Sequence, residues 1–300
     1  MKRTVLAPAK LNLFLDITGR RRDGYHLVNM VMQAVSLYDE VTVSLEHDDA
    51  VRIECSDKEV PCDETNTAFR AVKAFWKYTG LPPQGVTVRI QKRIPSQAGM
   101  AGGSTDAAAV LYALNDMTQA RLDLSGLVNI AETIGADVPF CLYGGTMTAE
   151  GIGTILNPLP DMPEAFIVIV KPKGKVSTAE AYRLSDTVGY SRLKNADKIV
   201  NGICSGSLED MAAGLYNKFE AVVSLTIAEP HIMSVGDSIK DIKRRLCEAG
   251  ALNACMTGSG SAVYGLFDEE DTADAAARQL SQWYDQVFTA RPIPHGVRFR

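Results

Sequence analysis

Apolar and polar positions change period repeatedly along the chain, and each change predicts an element. Leu11–Ile17 alternates loosely and reads as a strand. Glu40–Leu45 and Val51–Cys55 alternate again, parted by the polar cluster His47-Asp48-Asp49, which predicts two strands and a turn. Between Glu64 and Tyr78 the period lengthens. Ala68, Phe69, Val72, Phe75 and Trp76 recur at helical spacing, and Gly80 and Pro82 end the helix. Val86–Ile94 is a clean strand with Val86, Val88 and Ile90 on one face. A polar, glycine-rich loop follows, then an alanine-rich helix from about Thr105 to Asn115 and another over Ser125–Ile134.

Gly144-Gly145 and Gly151–Gly153 interrupt the next stretch, and Pro158, Pro160 and Pro163 cluster before an apolar strand, Phe166–Val170. The proline cluster predicts a domain boundary, dividing the chain into residues 1–157 and 158–291 with a tail over 292–300. Further helices are predicted over Ser177–Leu184, Tyr216–Leu225, Ser234–Ala249 and Ala273–Tyr284. Strands Cys255–Met256 and Ala262–Phe267 flank the loop Thr257-Gly258-Ser259-Gly260-Ser261, and Val287–Ala290 is the last strand. Strands and helices mix without strict strand–helix–strand alternation, so the fold class is α+β rather than a doubly wound sheet.

Composition narrows the function classes. With 46% hydrophobic and 22% charged residues, the chain reads as an ordinary soluble globular protein. A net charge of −5 argues against broad nucleic-acid binding, which needs a basic face. The apolar run Ala165–Val170 is too short to cross a bilayer, and Met1-Lys2-Arg3 is not followed by the apolar core of a signal peptide. A cytoplasmic protein with no membrane partner, present as a monomer or weak homodimer, is expected. The six cysteines show neither CxxC nor Cys/His ligand spacing, so reduced thiols are expected.

The segment Pro95-Ser96-Gln97-Ala98-Gly99-Met100-Ala101-Gly102-Gly103-Ser104-Thr105-Asp106 lies between a strand and a helix. Glycines let backbone N–H groups approach a ligand, and the positive end of the following helix attracts anions. Ser104, Thr105 and Asp106 offer helix caps, and the two hydroxyls also suit phosphate or Mg²⁺. No Lys-Ser or Lys-Thr follows the glycines, and the GxGxxG spacing is missing, so neither a Walker A loop nor a dinucleotide fingerprint is present. A capped helix whose glycines only allow tight packing has the same pattern. The loop Thr257–Ser261 reads alone as a hairpin and, beside the first, as part of a shared phosphate site.

Three smaller features carry chemistry. In Gly135-Ala136-Asp137-Val138-Pro139-Phe140 an acid stands among apolar neighbours, as a base for a hydroxyl or as a turn or cap residue. Lys10, between Ala9 and Leu11, suits a partner for a buried carboxylate or a surface position at a strand start. Arg20-Arg21-Arg22-Asp23-Gly24-Tyr25-His26 is a basic turn ending in two rings, able to stack on and hydrogen-bond to a base or simply to pack.

Taken in order, Pro8-Ala9-Lys10-Leu11-Asn12-Leu13, Arg22-Asp23-Gly24-Tyr25-His26, Pro95–Asp106, Gly135-Ala136-Asp137-Val138-Pro139 and Thr257-Gly258-Ser259-Gly260 resemble the GHMP kinase superfamily over nearly the whole chain. Within it, Lys10, Asn12 and the Gly24-Tyr25-His26 turn resemble the branch serving the non-mevalonate route to isoprenoid precursors. That branch phosphorylates the 2-hydroxyl of a cytidine-diphosphate-linked methylerythritol. The resemblance implies an ATP-binding, ribosomal-protein-S5-like N-terminal domain, a ferredoxin-like C-terminal domain and Mg²⁺ as cofactor. It implies Asp137 as base and Lys10 as its partner, Asn12 on the methylerythritol, Tyr25 and His26 on the cytosine and Tyr182 over its other face. It also implies Pro95–Thr105 around the triphosphate, Ser104 on Mg²⁺, and Asn66 and Lys92 on the adenine side. Gln97-Ala98 stands where a further glycine is common, Thr105 where Ser is common, and Ser261 where Pro is frequent.

Overall fold

The computed structural model describes residues 1–174, 176–190, 196–225 and 230–300. It opens with a long antiparallel hairpin, β1 (Lys2–Arg20) and β2 (His26–Glu46), paired from Lys2↔Ser44 to Arg20↔His26. The predicted strands Leu11–Ile17 and Glu40–Leu45 are only portions of it. Alternation is weak because both faces of β1 are covered: Ala9, Lys10, Leu11, Asn12 and Leu13 are all buried. A strand buried on both sides loses the period of two that marks it in sequence.

The length of β2 lets it hold two neighbours. Its Glu40–Glu46 end pairs with β4 (Gly85–Gln91), on which β3 (Val51–Cys55) lies parallel. Its Val28–Gln33 end pairs with β5 (Thr146–Gly151), which carries β6 (Ile155–Pro158). Helices α1 (Thr67–Thr79), α2 (Gly102–Met117), α3 (Leu124–Glu132) and α4 (Val138–Tyr143) complete this half. Ala107, Ala108 and Ala109 of α2 are wholly buried, and their small side chains let the helix lie close to β1.

The second half runs β7 (Phe166–Lys171), α5 (Thr178–Val188), α6 (Asp197–Ser205), α7 (Leu208–Ala213), β8 (Tyr216–Asn217), α8 (Lys218–Leu225) and α9 (Pro230–Glu248). Then come β9 (Asn253–Met256), β10 (Val263–Phe267), α10 (Glu270–Leu280) and β11 (Gln286–Ala290). Strands β11-β7-β10-β9 form an antiparallel sheet in the ferredoxin-like order fourth, first, third, second. Alternate residues of β7 serve two cores. Val168 and Val170 join Ile242 and Leu246 of α9 and Leu280 of α10, whereas Ile167 and Ile169 join Leu11 and Leu13 of β1. Tyr264 of β10, fully buried, donates its hydroxyl to the Asn12 carbonyl at 2.9 Å. The two halves are therefore packed through β1, which places its middle residues at their junction.

The predicted helix over Tyr216–Leu225 begins two residues later. Tyr216 and Asn217 instead pair with Phe14 and Leu15 of β1, and the Asn217 side chain accepts from the Phe219 N–H. Residues 292–300, set apart in sequence as a tail, cross back over the first half. Val297 N donates to Cys141 O, and β12 (Arg298–Phe299) pairs with Val5 and Leu6. Among the described residues no helix is long and apolar enough to cross a membrane.

Candidate active site

The glycine-rich loop leaves β4 and enters α2 at Gly102, three residues before the predicted start. Ser104, Thr105 and Asp106 therefore lie inside the helix and do not cap it. The N-cap is Ala101, in the left-handed region at φ 59°, with no side-chain cap bond. The N–H groups of Gly102, Gly103 and Ser104 precede the first helical donor, Thr105, and stay available to an anion. Gln97 and Gly99 are also left-handed, at φ 53° and 74°, so the chain turns sharply around the helix end. The Thr67 hydroxyl at the start of α1 donates to Gly103 O at 2.6 Å and braces the turn from outside.

Lys92 braces it from beneath. Its ammonium pairs with Asp39 of β2 and, at 2.9 Å, with Asp106 of α2; all three side chains are almost fully buried. Asp39 also accepts from the N–H groups of Arg93 and Ile94, at 2.6 and 2.9 Å. Asp106 Oδ1 has no hydrogen-bond partner, and burial pushes that carboxyl up to about 7 against the pull of Lys92.

The second glycine loop joins β9 to β10 as a hairpin turn and also locks onto the first. Ala262 N donates to Ala98 O at 3.3 Å, and Thr257 Oγ1 donates to Gly99 O at 3.3 Å. A Cβ on Gly99 would stand 2.2 Å from Thr257 O, an approach only glycine permits. Asn217 Nδ2 donates to the carbonyls of Met256 and Gly258, at 2.7 and 2.9 Å, which fixes the second loop in turn.

Below the loops, Lys10 of β1 extends its ammonium to Asn12 Oδ1 and lies 3.9 Å from Asp137 Oδ2. Its backbone N–H donates to Met100 O at 3.1 Å, so the lysine and the loop are tied together. Asn12 is fully buried and orients Lys10, and its N–H donates to Thr257 Oγ1 at 2.9 Å. Asp137 occupies the N-cap position of α4 but makes no side-chain cap bond, and its side chain is 36% exposed. Its carboxylate is thus free to meet a ligand, with the lysine alongside.

The far wall is aromatic. The His26 ring stacks on Tyr182 of α5 at 4.9 Å between centroids and 27° between planes. Tyr182 meets Phe219 edge-on at 5.0 Å. Burial, and then the Asp137 carboxylate, push the Tyr182 hydroxyl up to about 12, so it stays neutral. Tyr25 lies outside this stack and is 61% exposed. Asn66, expected on the adenine side, caps α1 by accepting from Ala68 N at 2.8 Å.

One cleft of about 1140 Å³ is lined by all of these groups: Lys10 and Asn12, Tyr25 and His26, Asn66 and Lys92, Pro95–Ser104, Asp137 and Tyr182. Thr105 is the exception among the expected site residues; it is wholly buried and does not reach the cleft.

Two sequence profiles match: GHMP kinases N terminal domain over residues 66–145, and GHMP kinases C terminal over residues 201–286. A 4-diphosphocytidyl-2-C-methyl-D-erythritol kinase of Alkaliphilus metalliredigens is 40% identical over 279 residues, covering 93% of this chain and 92% of the relative. The enzyme of the same name from Clostridium tetani is 38% identical over 289 residues, covering 96% of this chain and 99% of its own. The chain belongs to the GHMP kinase family. Among solved structures, a 4-(cytidine 5'-diphospho)-2C-methyl-D-erythritol kinase superposes on this GHMP kinase with a TM-score of 0.79 and 32% identity, covering 97% and 99% of the two chains. A homoserine kinase from Cytophaga hutchinsonii, 21% identical with a TM-score of 0.77, shares the fold.

Sequence reasoning about this kinase missed Asp39 and Asp186 as parts of the site and read Asp106 as a helix cap, not as a partner of Lys92. Asp186 accepts from His26 Nε2 at 2.7 Å and from Arg20 at 2.9 Å. One signal was present: Asp186 follows Tyr182 by four residues, which puts both on one face of α5. Asp39 carried no such signal, because its partner Lys92 lies 53 residues away in sequence.

Proposed function

We propose that this chain transfers the γ-phosphoryl group of ATP to the 2-hydroxyl of 4-diphosphocytidyl-2-C-methyl-D-erythritol, within the non-mevalonate supply of isoprenoid precursors. One observation carries the reading: Lys10 and Asp137 meet at 3.9 Å in a cleft bounded by an uncapped helix end and an aromatic wall. Phosphoryl transfer asks for an oriented hydroxyl, stabilised phosphate charge and exclusion of misplaced water, with little covalent chemistry from the protein. Asp137 accepts or orients the proton of the 2-hydroxyl. Lys10, 3.9 Å from Asp137, meets the charge of the forming alkoxide. The N–H groups of Gly102, Gly103 and Ser104 face the triphosphate and stabilise charge as it shifts to the bridging oxygen. His26 and Tyr182 receive the cytosine, and exposed Tyr25 closes over it.

Mg²⁺ fits as an ion that arrives with the nucleotide. Among the described residues no group of three or more His, Cys, Asp or Glu side chains is placed to hold a metal. Such a site suits an ion held mostly by phosphate and water oxygens. Ser104 Oγ, at the lip of the cleft, would hold it, and the unpartnered Asp106 Oδ1 offers a second hard oxygen in the same turn. When bound, the ion supplies charge neutralisation on the phosphates.

A coupled ADP-release assay with Mg·ATP tests the reading, run on the cytidyl substrate beside homoserine, mevalonate and galactose. Turnover confined to the cytidyl substrate is expected. Turnover with another alcohol alone would discard the substrate, and none with any would discard the activity.

A further inference from the structure

The base wall contains a charged element that phosphoryl transfer does not use. Asp186 of α5 receives three donors. His26 Nε2 reaches its Oδ1 at 2.7 Å, Tyr190 donates its hydroxyl to the same oxygen at 2.8 Å, and Arg20 Nη1 reaches Oδ2 at 2.9 Å. Arg20 and His26 are the two ends of the β1–β2 hairpin turn, directly paired across the strands. The carboxylate therefore ties the hairpin tip to the helix that carries Tyr182.

This contact also decides which imidazole nitrogen carries the hydrogen. A carboxylate only accepts, so Nε2 must donate. The His26 hydrogen bond, with Tyr190 and Arg20 adding to it, holds the Asp186 carboxyl below the usual range, consistent with an ionised acceptor. In a neutral imidazole whose Nε2 is protonated, Nδ1 has a free lone pair. No described residue hydrogen-bonds to Nδ1. The ring is fixed on its face by Tyr182 at 4.9 Å and is almost buried, so this acceptor has a set direction.

We propose that Asp186 is the positioning residue for base specificity: by fixing the His26 tautomer it presents Nδ1 as an acceptor that selects a 4-amino pyrimidine over a 4-oxo one. Cytosine carries an amino donor at C4, whereas uracil carries a carbonyl acceptor there. Against Nδ1 the first makes a hydrogen bond and the second sets two lone pairs against each other. The inference rests on His26 as the reader of the base, as assigned above. It adds the source of discrimination and a residue that acts through His26.

The test uses the full-length enzyme with the cytidyl substrate and its uridyl analogue. Asp186→Asn can donate as well as accept, so it permits either tautomer. It is expected to raise KM for the cytidyl substrate and to shrink the cytidyl-over-uridyl ratio of kcat/KM by about tenfold, the scale of one misdirected hydrogen bond. KM for ATP should stay within about twofold, and Asp186→Glu should restore part of the ratio. Arg20→Gln removes one of the two ties to the hairpin but keeps the contact with His26, so its ratio should remain that of the wild type. An unchanged ratio in Asp186→Asn, with His26→Ala losing it, would overturn the role of Asp186 and leave the base pocket standing. An equal loss in Arg20→Gln would reduce Asp186 to a structural tie. If neither His26→Ala nor Asp186→Asn alters KM for the cytidyl substrate, the assignment of the pocket itself fails.

Discussion

Gly99→Ala probes the contact that holds the two glycine loops together. Two costs add. Gly99 has φ +74°, and a side chain in that region costs about 1–2 kcal/mol. Its new Cβ would also stand 2.2 Å from Thr257 O, 3.0 Å from Thr257 C and 3.1 Å from Gly260 N. These are backbone atoms of the other loop, and no rotamer change removes them. Ordinary contact begins near 3.4 Å, so the loops must part by about 1 Å. Overpacking of this kind costs about 1–3 kcal/mol, giving a total loss near 2–5 kcal/mol. Gly80→Ala supplies the control, since Gly80 has φ +63° with nothing within 4 Å of the added carbon. It should lose only the conformational part. Urea unfolding of both variants measures the difference, and ATP kinetics reads its consequence. A shift of about 1 Å in phosphate-facing N–H groups should lower kcat/KM for ATP about a hundredfold in Gly99→Ala. Equal destabilisation by the two substitutions, with ATP kinetics unchanged, would refute the interlocking of the loops.

Asp137→Asn should keep the fold and nucleotide binding while kcat falls by about 10²–10⁴, the usual weight of a positioned general base; near-normal turnover would remove it from that role. Lys92→Met leaves two buried carboxylates facing each other, and thermal or urea unfolding should show a loss of about 3–5 kcal/mol. A loss under about 1 kcal/mol would mean that the cluster does not support the loop. Asp241 gives the pH dependence. Its burial alone would raise its pKa, but hydrogen bonds from Arg245, Tyr284 and Arg244 outweigh that and hold it at about 2. A depressed carboxyl stabilises the fold above its unfolded value and loses that contribution as pH falls. Wild type should therefore lose stability relative to Asp241→Asn between pH 3.8 and about 2, and parallel curves over that window would contradict the pairing.

One wet face made some elements legible in sequence, whereas β7 and β10, buried on both faces, were legible as short apolar runs. Helix α1 shows its apolar stripe because Arg70, Lys73 and Lys77 face water opposite Ala68, Val72 and Phe75. β1 and most of β2 did not, because the second sheet and α2 cover both faces of β1 and leave no polar alternation. The glycine loops stood out by composition, whereas the neighbours of Lys10 and Asp137 left a surface lysine and a cap acid open, and only the family resemblance gave the two residues roles. What composition cannot carry is pairing over distance. The resemblance put Lys92 on the adenine side, yet Asp39 and Asp106 both hold its ammonium. Tyr25 and His26 look equivalent in sequence, yet one is exposed and the other is stacked and charge-paired.

The β1–β2 hairpin carries both Lys10, proposed for phosphoryl transfer, and His26, proposed to read the base. Lys10 and Asn12 sit mid-strand, where the register slips between Pro8 and Ala9 and again between Asn12 and Phe14. Such irregularities turn side chains away from the regular alternation, which fits both Lys10 and Asn12 reaching the same cleft. His26 stands at the far tip of the same hairpin, paired with Arg20. The middle is clamped by Met100, Thr257 and Tyr264, three contacts from three different segments. The tip is held mainly from α5, through Asp186 and Tyr182. A rigid middle with a separately fastened tip keeps Lys10 and Asp137 in register whatever occupies the base wall. Substitutions at the tip should therefore change which substrate is accepted before they change how fast phosphate moves.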